Sequence, residues 1–236
     1  MSEFGQFQHN YNIDICLVID KTKSMEPYIE TVKENALRLH KDIRDSLEKD
    51  DKYGQKHVDR LRVRVIWFGD YKSDLNPMIL SPFLTLPEDN EKFERFVNGV
   101  QAEGGGDEPE DALEALAYAM RSDWCDGFKK RHVIALFTDA SAHQLGHCKD
   151  APKYPKENMP KDFGELSAMW GDEDDPGEMD YYAKRLLLFA PENSAPWHTI
   201  SKCWENTVIR SVKGAAGLSD VTYQTMLDTI VHSIES

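Results

Sequence analysis

The sequence predicts an α/β fold, namely a doubly wound, mostly parallel six-stranded sheet with helices on both faces. Unbroken apolar runs recur along the chain, and such runs are typical of strands that are buried on both faces. Segments with helical spacing of apolar residues separate these runs, which favours a parallel sheet. The chain of 236 residues has the length of one such domain. We therefore expect residues 1–236 to form a single domain.

The first predicted strand covers residues 15–19, ICLVI, and ends at Asp20. Pro27 stands where the first turn of a helix tolerates proline. Apolar residues then recur at helical spacing and predict a helix over residues 26–47. Residues 48–59 are mostly polar, and we interpret them as a loop.

The next part of the chain predicts a strand, an edge strand and a helix. Residues 61–68 begin with alternating polarity and become wholly apolar, as a strand entering a buried sheet does. Residues 78–86 contain Pro82, and a proline inside a strand indicates the edge of a sheet. A helix is predicted to open at residues 87–89 and to continue through Val97.

The second half of the chain continues the alternation of strands and helices. Acidic residues and a proline within residues 107–110 predict the start of a helix that extends to Met120. Further strands are predicted at residues 132–137, 185–190 and 207–212, and further helices at 196–204 and 220–234. Residues 141–180 are irregular, with one short helix at 163–170, and we interpret them as an insertion.

Composition excludes several classes of partner. The net charge is −14, whereas nonspecific binding to nucleic acid or anionic membranes depends on basic patches. No segment approaches the ~18 apolar residues of a membrane span, and the first ten residues lack the features of a signal peptide. The four cysteines show no CxxC spacing, which fits a reducing compartment. We expect a cytoplasmic protein that binds neither nucleic acid nor a membrane.

Three groups of oxygen-bearing side chains follow predicted strands or open a predicted helix. They are Asp20, Thr22 and Ser24; Asp107 and Glu110; and Thr138 and Asp139. Loops that follow parallel strands gather at one edge of a doubly wound sheet, so these groups can meet. Mg²⁺ prefers oxygen ligands and usually retains several waters. The pattern predicts a divalent-cation site at this edge.

These groups also resemble a known family. Residues 20–24, DKTKS, resemble the DxSxS metal-ion-dependent adhesion site (MIDAS) of von Willebrand factor A (vWA) domains, with Thr22 in place of the commoner serine. Residues 106–110, GDEPE, resemble the second loop of integrin β I-like domains and of many soluble bacterial vWA proteins. Residues 137–143, FTDASAH, resemble the third loop of integrin β chains.

The resemblance implies a Rossmann-like vWA fold and a particular set of metal ligands. The implied site consists of Thr22, Ser24 and Glu110, backed by Asp20 and Asp139, with Asp107 as a nearby oxygen. It implies Mg²⁺ as the cofactor, with Mn²⁺ or Ca²⁺ as alternatives. Because the second-loop threonine of many A domains is absent, the site is expected to be of the glutamate kind. Lys21 and Lys23 would either weaken cation binding or point outward.

The resemblance also implies a function. The metal of a vWA domain accepts an acidic side chain, an Asp or Glu, of a protein partner. Soluble bacterial relatives pair with ATPases, kinases, phosphatases or proteases, which implies a scaffold or adaptor in a bacterial stress or defence system and not an enzyme. One alternative is a metal-dependent hydrolase, for which His143 is the only candidate base near a motif. Another is a degenerate site in a domain with a purely structural role in a complex.

Simpler interpretations exist for individual residues. Asp20 or Ser24 could cap the helix that begins near Pro27, and Glu110 could be a favourable charge at a helix N-terminus. The three loops together favour a metal site over these interpretations.

Two further patterns suggest metals less strongly. His143 and His147 have the i, i+4 spacing of helical zinc ligands and precede Cys148. No fourth ligand is evident, so we interpret them as polar loop residues. The acidic run at 172–175 lacks the spacing of a calcium loop, and we expect a solvated surface there.

Overall fold

The computed structural model describes residues 9–48, 56–104, 109–212 and 221–235. Its strands are β1 His9–Asp20, β2 Lys56–Phe68, β3 Met78–Leu80, β4 Leu84–Leu86, β5 Lys130–Phe137, β6 Lys184–Ala190 and β7 Thr207–Ser211. Its helices are α1 Glu26–Leu47, α2 Asn90–Asn98, α3 Ala112–Met120, α4 Phe163–Trp170, α5 Trp197–Cys203 and α6 Tyr223–Glu235. Together they form the predicted doubly wound α/β architecture.

The sheet has the order β3-β2-β1-β5-β6-β7, and β4 also pairs with β2. Strands β2, β1, β5, β6 and β7 run parallel. After β1 the chain adds β2 on one side of it and later β5 on the other. Such a reversal opens a crevice at the carboxyl ends of the strands, where ligands of doubly wound sheets bind. Asp20 lies at this point, paired in register with Phe68.

Helices cover both faces of the sheet. The side chains of Ile13, Ile15, Leu17 and Ile19 in β1 pack in a core with α1, α2 and α6. The alternate residues of β1, such as Cys16 and Val18, pack with α3, α4 and α5. Because successive side chains of a strand point to opposite faces, one unbroken apolar run supplies both cores.

Three of the wrong predicted boundaries affect the sheet or the site. The region described contains seven strands, not six, because residues 78–86 form two short strands. Both β3 and β4 are antiparallel to β2, and Pro82 between them has no N–H to donate to a ladder. Residues 56–59 belong to β2 and not to a loop, because β1 begins at His9 and provides partners for them.

The third wrong boundary is the start of α3. The helix begins at Ala112 and not within residues 107–110. Glu110 instead forms a parallel bridge with Ala142. Its N–H donates to the carbonyl of Ser141 at 3.2 Å, and its carbonyl accepts from the N–H of His143 at 2.8 Å. These bonds hold Glu110 in an extended conformation beside the chain that follows β5.

The long segment 141–180 contains α4 at the predicted residues, and its last part is fastened to β6 by a buried lysine. The Lys184 ammonium donates to the carbonyls of Trp170, Gly171 and Pro176. That this segment is an insertion into a single domain stays a prediction. Among the residues that the structure describes, no helix combines the length and apolar character needed to cross a membrane.

Candidate metal centre

Asp20 is the centre of a hydrogen-bonded group at the carboxyl end of β1. Its side chain is fully buried. Oδ1 accepts from the N–H of Thr22 at 2.9 Å and from the Thr22 hydroxyl at 2.6 Å. Oδ2 accepts from the Thr138 hydroxyl at 2.8 Å. The first and third predicted loops therefore meet on the two oxygens of one carboxylate.

A second contact joins the same two loops. The Ser24 hydroxyl donates to Asp139 Oδ1 at 3.1 Å, and Thr22 Oγ1 lies 3.2 Å from Ser24 Oγ. Neither Asp20 nor Ser24 caps α1: its N-cap position is occupied by Met25, and no side chain bonds there. The polar residues after β1 are directed at one another and at the third loop.

Glu110 brings the second loop to this group. Its side chain is 3% exposed, and Oε2 has no hydrogen-bond partner among the described residues. Burial, and next the negative charge of Asp20, raises the pKa of Glu110 to about 9. Burial likewise raises the pKa of Asp20 to about 6. A cation beside these carboxylates would favour their charged forms.

Four of the six predicted site residues are joined by hydrogen bonds: Asp20, Thr22, Ser24 and Asp139. The fifth, Glu110, lies close enough to Asp20 for the two carboxylates to interact electrostatically. The sixth, Asp107, is outside the described residues. The donors are oxygens of carboxylates and hydroxyls, which hard divalent cations prefer. An unpaired, buried carboxylate oxygen costs free energy unless a cation or donor satisfies it. The residues present therefore fit a divalent cation.

The two lysines of the first motif differ in position. Lys23 is exposed, in agreement with the expectation that it points outward. Lys21 is fully buried, and its ammonium lies 3.1 Å from both Asp74 Oδ2 and Glu103 Oε1. Its charge is therefore matched by carboxylates outside the three motifs. No spacing in the sequence indicated this contact, because its partners are 53 and 82 residues away.

The ring of His143, the candidate general base, contacts the ring of His147. Its backbone bonds to Glu110, but its ring stacks on His147 with the ring centroids 4.2 Å apart. Sequence reasoning also missed Thr138 as an orienting partner of Asp20, although its place after β5 was noted.

Part of this chain is similar in sequence to a known family and to a kinase. A family model described as von Willebrand factor A domain matches residues 77–151. The alpha-protein kinase vwkA of Dictyostelium discoideum is 25% identical over 143 residues, which are 61% of this chain and 21% of that kinase. The chain therefore spans a small part of this curated relative.

Solved structures share the architecture. The pilus adhesin SpaC of Lactobacillus rhamnosus GG has a TM-score of 0.52 at 13% identity, over 95% of this chain and 30% of that one. Proximal thread matrix protein 1 of the mussel byssus, solved with a zinc-occupied MIDAS motif, has a TM-score of 0.49 at 11% identity, over 96% and 48% of the two chains. This chain is thus similar to von Willebrand factor A domains over residues 77–151 and shares the fold of the adhesin over most of its length.

Proposed function

We propose that this domain is a metal-ion-dependent protein-binding module. The observation that carries the proposal is the buried Oε2 of Glu110, which has no hydrogen-bond partner among the described residues and lies near carboxylate and hydroxyl oxygens of the two other loops. Interaction is also the general role of vWA domains. We assign Thr22, Ser24 and Glu110 as the direct ligands, with Asp20 and Asp139 behind them and Asp107 nearby.

The hydrogen bonds support this division of roles. The Thr22 hydroxyl donates its proton to Asp20, and the Ser24 hydroxyl donates its proton to Asp139. Each hydroxyl oxygen then retains lone pairs for a cation, while the two aspartates hold the hydroxyls in place. Glu110 is the one direct ligand with a charge among the described residues. A bound cation with few charged ligands would supply a coordination position for a carboxylate of a partner.

The identity of the cation and of the partner belongs to the same proposal. All assigned donors are oxygens, so we propose Mg²⁺, with Mn²⁺ or Ca²⁺ as alternatives. The partner is a protein that presents an Asp or Glu side chain. An ATPase, kinase, phosphatase or protease of a bacterial stress or defence system is the partner class that the motif resemblance supports.

Location and domain extent are proposed on similar grounds. All four cysteines are free thiols, which supports a cytoplasmic location. We propose one vWA domain over residues 1–236, with an insertion at 141–180. Neither alternative function is proposed. Hydrolysis would need a general base beside the metal, whereas the ring of His143 stacks on His147. A degenerate site would have no need of oxygen ligands held close together.

The first test is a titration of the metal-free chain with Mn²⁺ by calorimetry. We expect one binding event that Glu110→Gln abolishes and that Glu34→Gln, an exposed control on α1, leaves unchanged. A well-folded wild-type chain that binds no Mn²⁺ would support the degenerate site instead.

The second test measures partner capture in Mg²⁺ and in EDTA. We expect capture only in Mg²⁺, and none by a folded Asp20→Ala variant. Capture that is equal in EDTA would contradict the proposed mechanism, even if the metal site itself exists.

A further inference from the structure

A second cluster of metal-ligating side chains shares no residue with the oxygen ligands assigned above. The donor atoms of His143, His147 and Cys148 lie within 4.8 Å of one another. The donor atoms of Cys148, Asp70 and Asp111 also lie within 4.8 Å of one another. The Cys148 thiol is common to both groups, so four other potential ligands lie within 4.8 Å of its sulfur atom.

The structure provides the fourth ligand that sequence spacing did not reveal. Asp111 precedes α3 at its N-cap position, yet its side chain makes no capping bond. Its Oδ2 accepts from the N–H of Tyr71 at 2.6 Å. Its Oδ1 is buried and has no hydrogen-bond partner in the described parts of the chain. One oxygen thus fixes the carboxylate, and the other remains available.

Asp70 is less suited to direct ligation. Its Oδ1 already accepts from the N–H of Lys72 at 2.6 Å and from the Cys148 thiol at 3.5 Å. It is placed to orient the sulfur atom, as outer-shell groups of metal sites do.

We propose that His143, His147, Cys148 and Asp111 bind one zinc ion. Two imidazole nitrogens, one thiolate and one carboxylate are ligands that Zn²⁺ takes, and four of them complete a closed structural site. Cys148 and Asp111 are fully buried, His143 is half-buried, and His147 is exposed. The zinc ion would therefore lie at the surface, with its soft ligand on the inner side.

A similar cluster elsewhere in the chain shows what distinguishes this one. Donor atoms of Asp14, Cys125 and His132 also lie within 4.8 Å of one another. There, however, Arg62 donates to Oδ1 and Oδ2 of Asp14 at 2.8 and 2.6 Å. The guanidinium already compensates that carboxylate. Oδ1 of Asp111 has no such partner in the described region.

One cation lies next to the proposed site. The Lys72 ammonium is 3.0 Å from Nε2 of His147. Lys72 is exposed, so its side chain can turn into solvent at little cost when zinc binds. Replacing it with methionine removes a competing charge, and we expect Lys72→Met to bind zinc at least as tightly as the wild type.

The zinc ion would connect two parts of the fold. Cys148 and the two histidines belong to segment 141–180, whereas Asp111 immediately follows the assigned ligand Glu110. The bridge between Glu110 and Ala142 already joins these two strands of chain. Zinc would therefore fasten the start of segment 141–180 beside the second loop of the oxygen site.

Cobalt is the probe that distinguishes the two sites. In a tetrahedral site with a thiolate ligand, Co²⁺ gives intense visible bands and a sulfur-to-metal charge-transfer band, whereas an all-oxygen octahedral site gives only weak absorption. We expect the full, metal-free chain to bind one thiolate-ligated Co²⁺, which Zn²⁺ then displaces. Cys148→Ser should lose the charge-transfer band, and Cys203→Ser, which alters an exposed cysteine, should retain it.

Two further variants keep the test decisive if Cys148→Ser does not fold. Asp111→Asn and His147→Ala should each weaken zinc binding by more than about 10-fold, the loss that removal of an outer-shell partner already causes. Glu110→Gln should leave the cobalt spectrum intact, which separates this inference from the proposed oxygen site. A wild-type chain without the charge-transfer band, or unchanged zinc affinity in both variants, would overturn the proposal.

Discussion

The hydroxyl of Ser24 donates a hydrogen bond to Oδ1 of Asp139 across 115 residues of sequence. This contact joins the loop after β1 to the loop after β5, the two central strands of the parallel sheet. Two of the three loops of the proposed oxygen site are therefore already joined in the absence of a cation. Preorganisation of this kind lowers the cost of binding a small ligand.

Removal of the Ser24 hydroxyl tests its assignment as a ligand. We expect Ser24→Ala to weaken Mn²⁺ binding by about 10-fold or more, because removing even a hydrogen-bond partner of a metal ligand weakens metal binding by this much. The free energy of unfolding without metal should fall by only about 1 kcal/mol, the worth of one hydrogen bond. Calorimetry and urea unfolding measure the two effects. Ser211→Ala, at an exposed position of β7, is the control, and equal Mn²⁺ affinity in both variants would refute the assignment.

Glu110 should destabilise the chain when no metal is present. Burial raises the pKa of Glu110 to about 9, so folding at neutral pH without metal requires a proton uptake that glutamine does not need. Glu110→Gln should therefore raise the free energy of unfolding in EDTA by about 1–3 kcal/mol. With Mg²⁺ at about 100 times its Kd, the wild type should gain about 2.7 kcal/mol and the variant nothing. Thermal unfolding in EDTA and in Mg²⁺ shows whether the order of stability of the wild type and the variant reverses. A variant less stable than the wild type in EDTA would contradict this account of Glu110.

Lys21 should be important for stability, unlike its neighbour Lys23. Removing the buried Lys21 ammonium leaves the carboxylate of Asp74, whose side chain is 3% exposed, without its cation. We expect Lys21→Met to lower the free energy of unfolding by about 3–5 kcal/mol, as for other broken buried ion pairs. The exposed Lys23→Met should change it by less than about 0.5 kcal/mol. Urea unfolding compares the two, and equal effects would show that the Lys21 contacts contribute little.

Glu114 should make stability depend on pH. Burial raises the pKa of Glu114 to about 7, although Oε1 accepts from the Tyr154 hydroxyl at 3.0 Å. The folded chain therefore retains a proton that the unfolded chain releases above its ordinary pKa. The contribution of Glu114 to stability is fully present below that ordinary value and falls as the pH rises to about 7.

Glu114→Gln isolates this effect from the other buried carboxylates. At about pH 8 the variant should be more stable than the wild type by about 1–3 kcal/mol, and the difference should decrease towards about pH 5. Urea unfolding at a series of pH values measures it. A difference that stays constant with pH would show that Glu114 is ionised in the folded state throughout.

Long periodic elements could be predicted from the sequence. Helices α1 and α4 begin and end at the predicted residues, because the apolar spacing extends over the whole of each element. The meeting of Asp20, Thr22, Ser24 and Asp139 followed from the position of their loops after parallel strands.

Contacts between distant residues could not be predicted. The pairing of Lys21 with Asp74 and the approach of Asp111 to Cys148 depend on how loops fold over the sheet edge. The spacing of apolar residues in the sequence does not predict such contacts. Glu110 was expected in a helix, but its backbone instead pairs with the chain after β5, a tertiary contact that outweighs the local helix-start signal.

The central claim is that Thr22, Ser24 and Glu110 bind one divalent cation. Anomalous diffraction from a crystal soaked in Mn²⁺ tests it most directly. We expect a peak in contact with Oγ1 of Thr22, Oγ of Ser24 and Oε2 of Glu110, with a remaining position held by water or by the carboxylate of a neighbouring molecule. A fully soaked crystal without a peak at these three oxygens would contradict it.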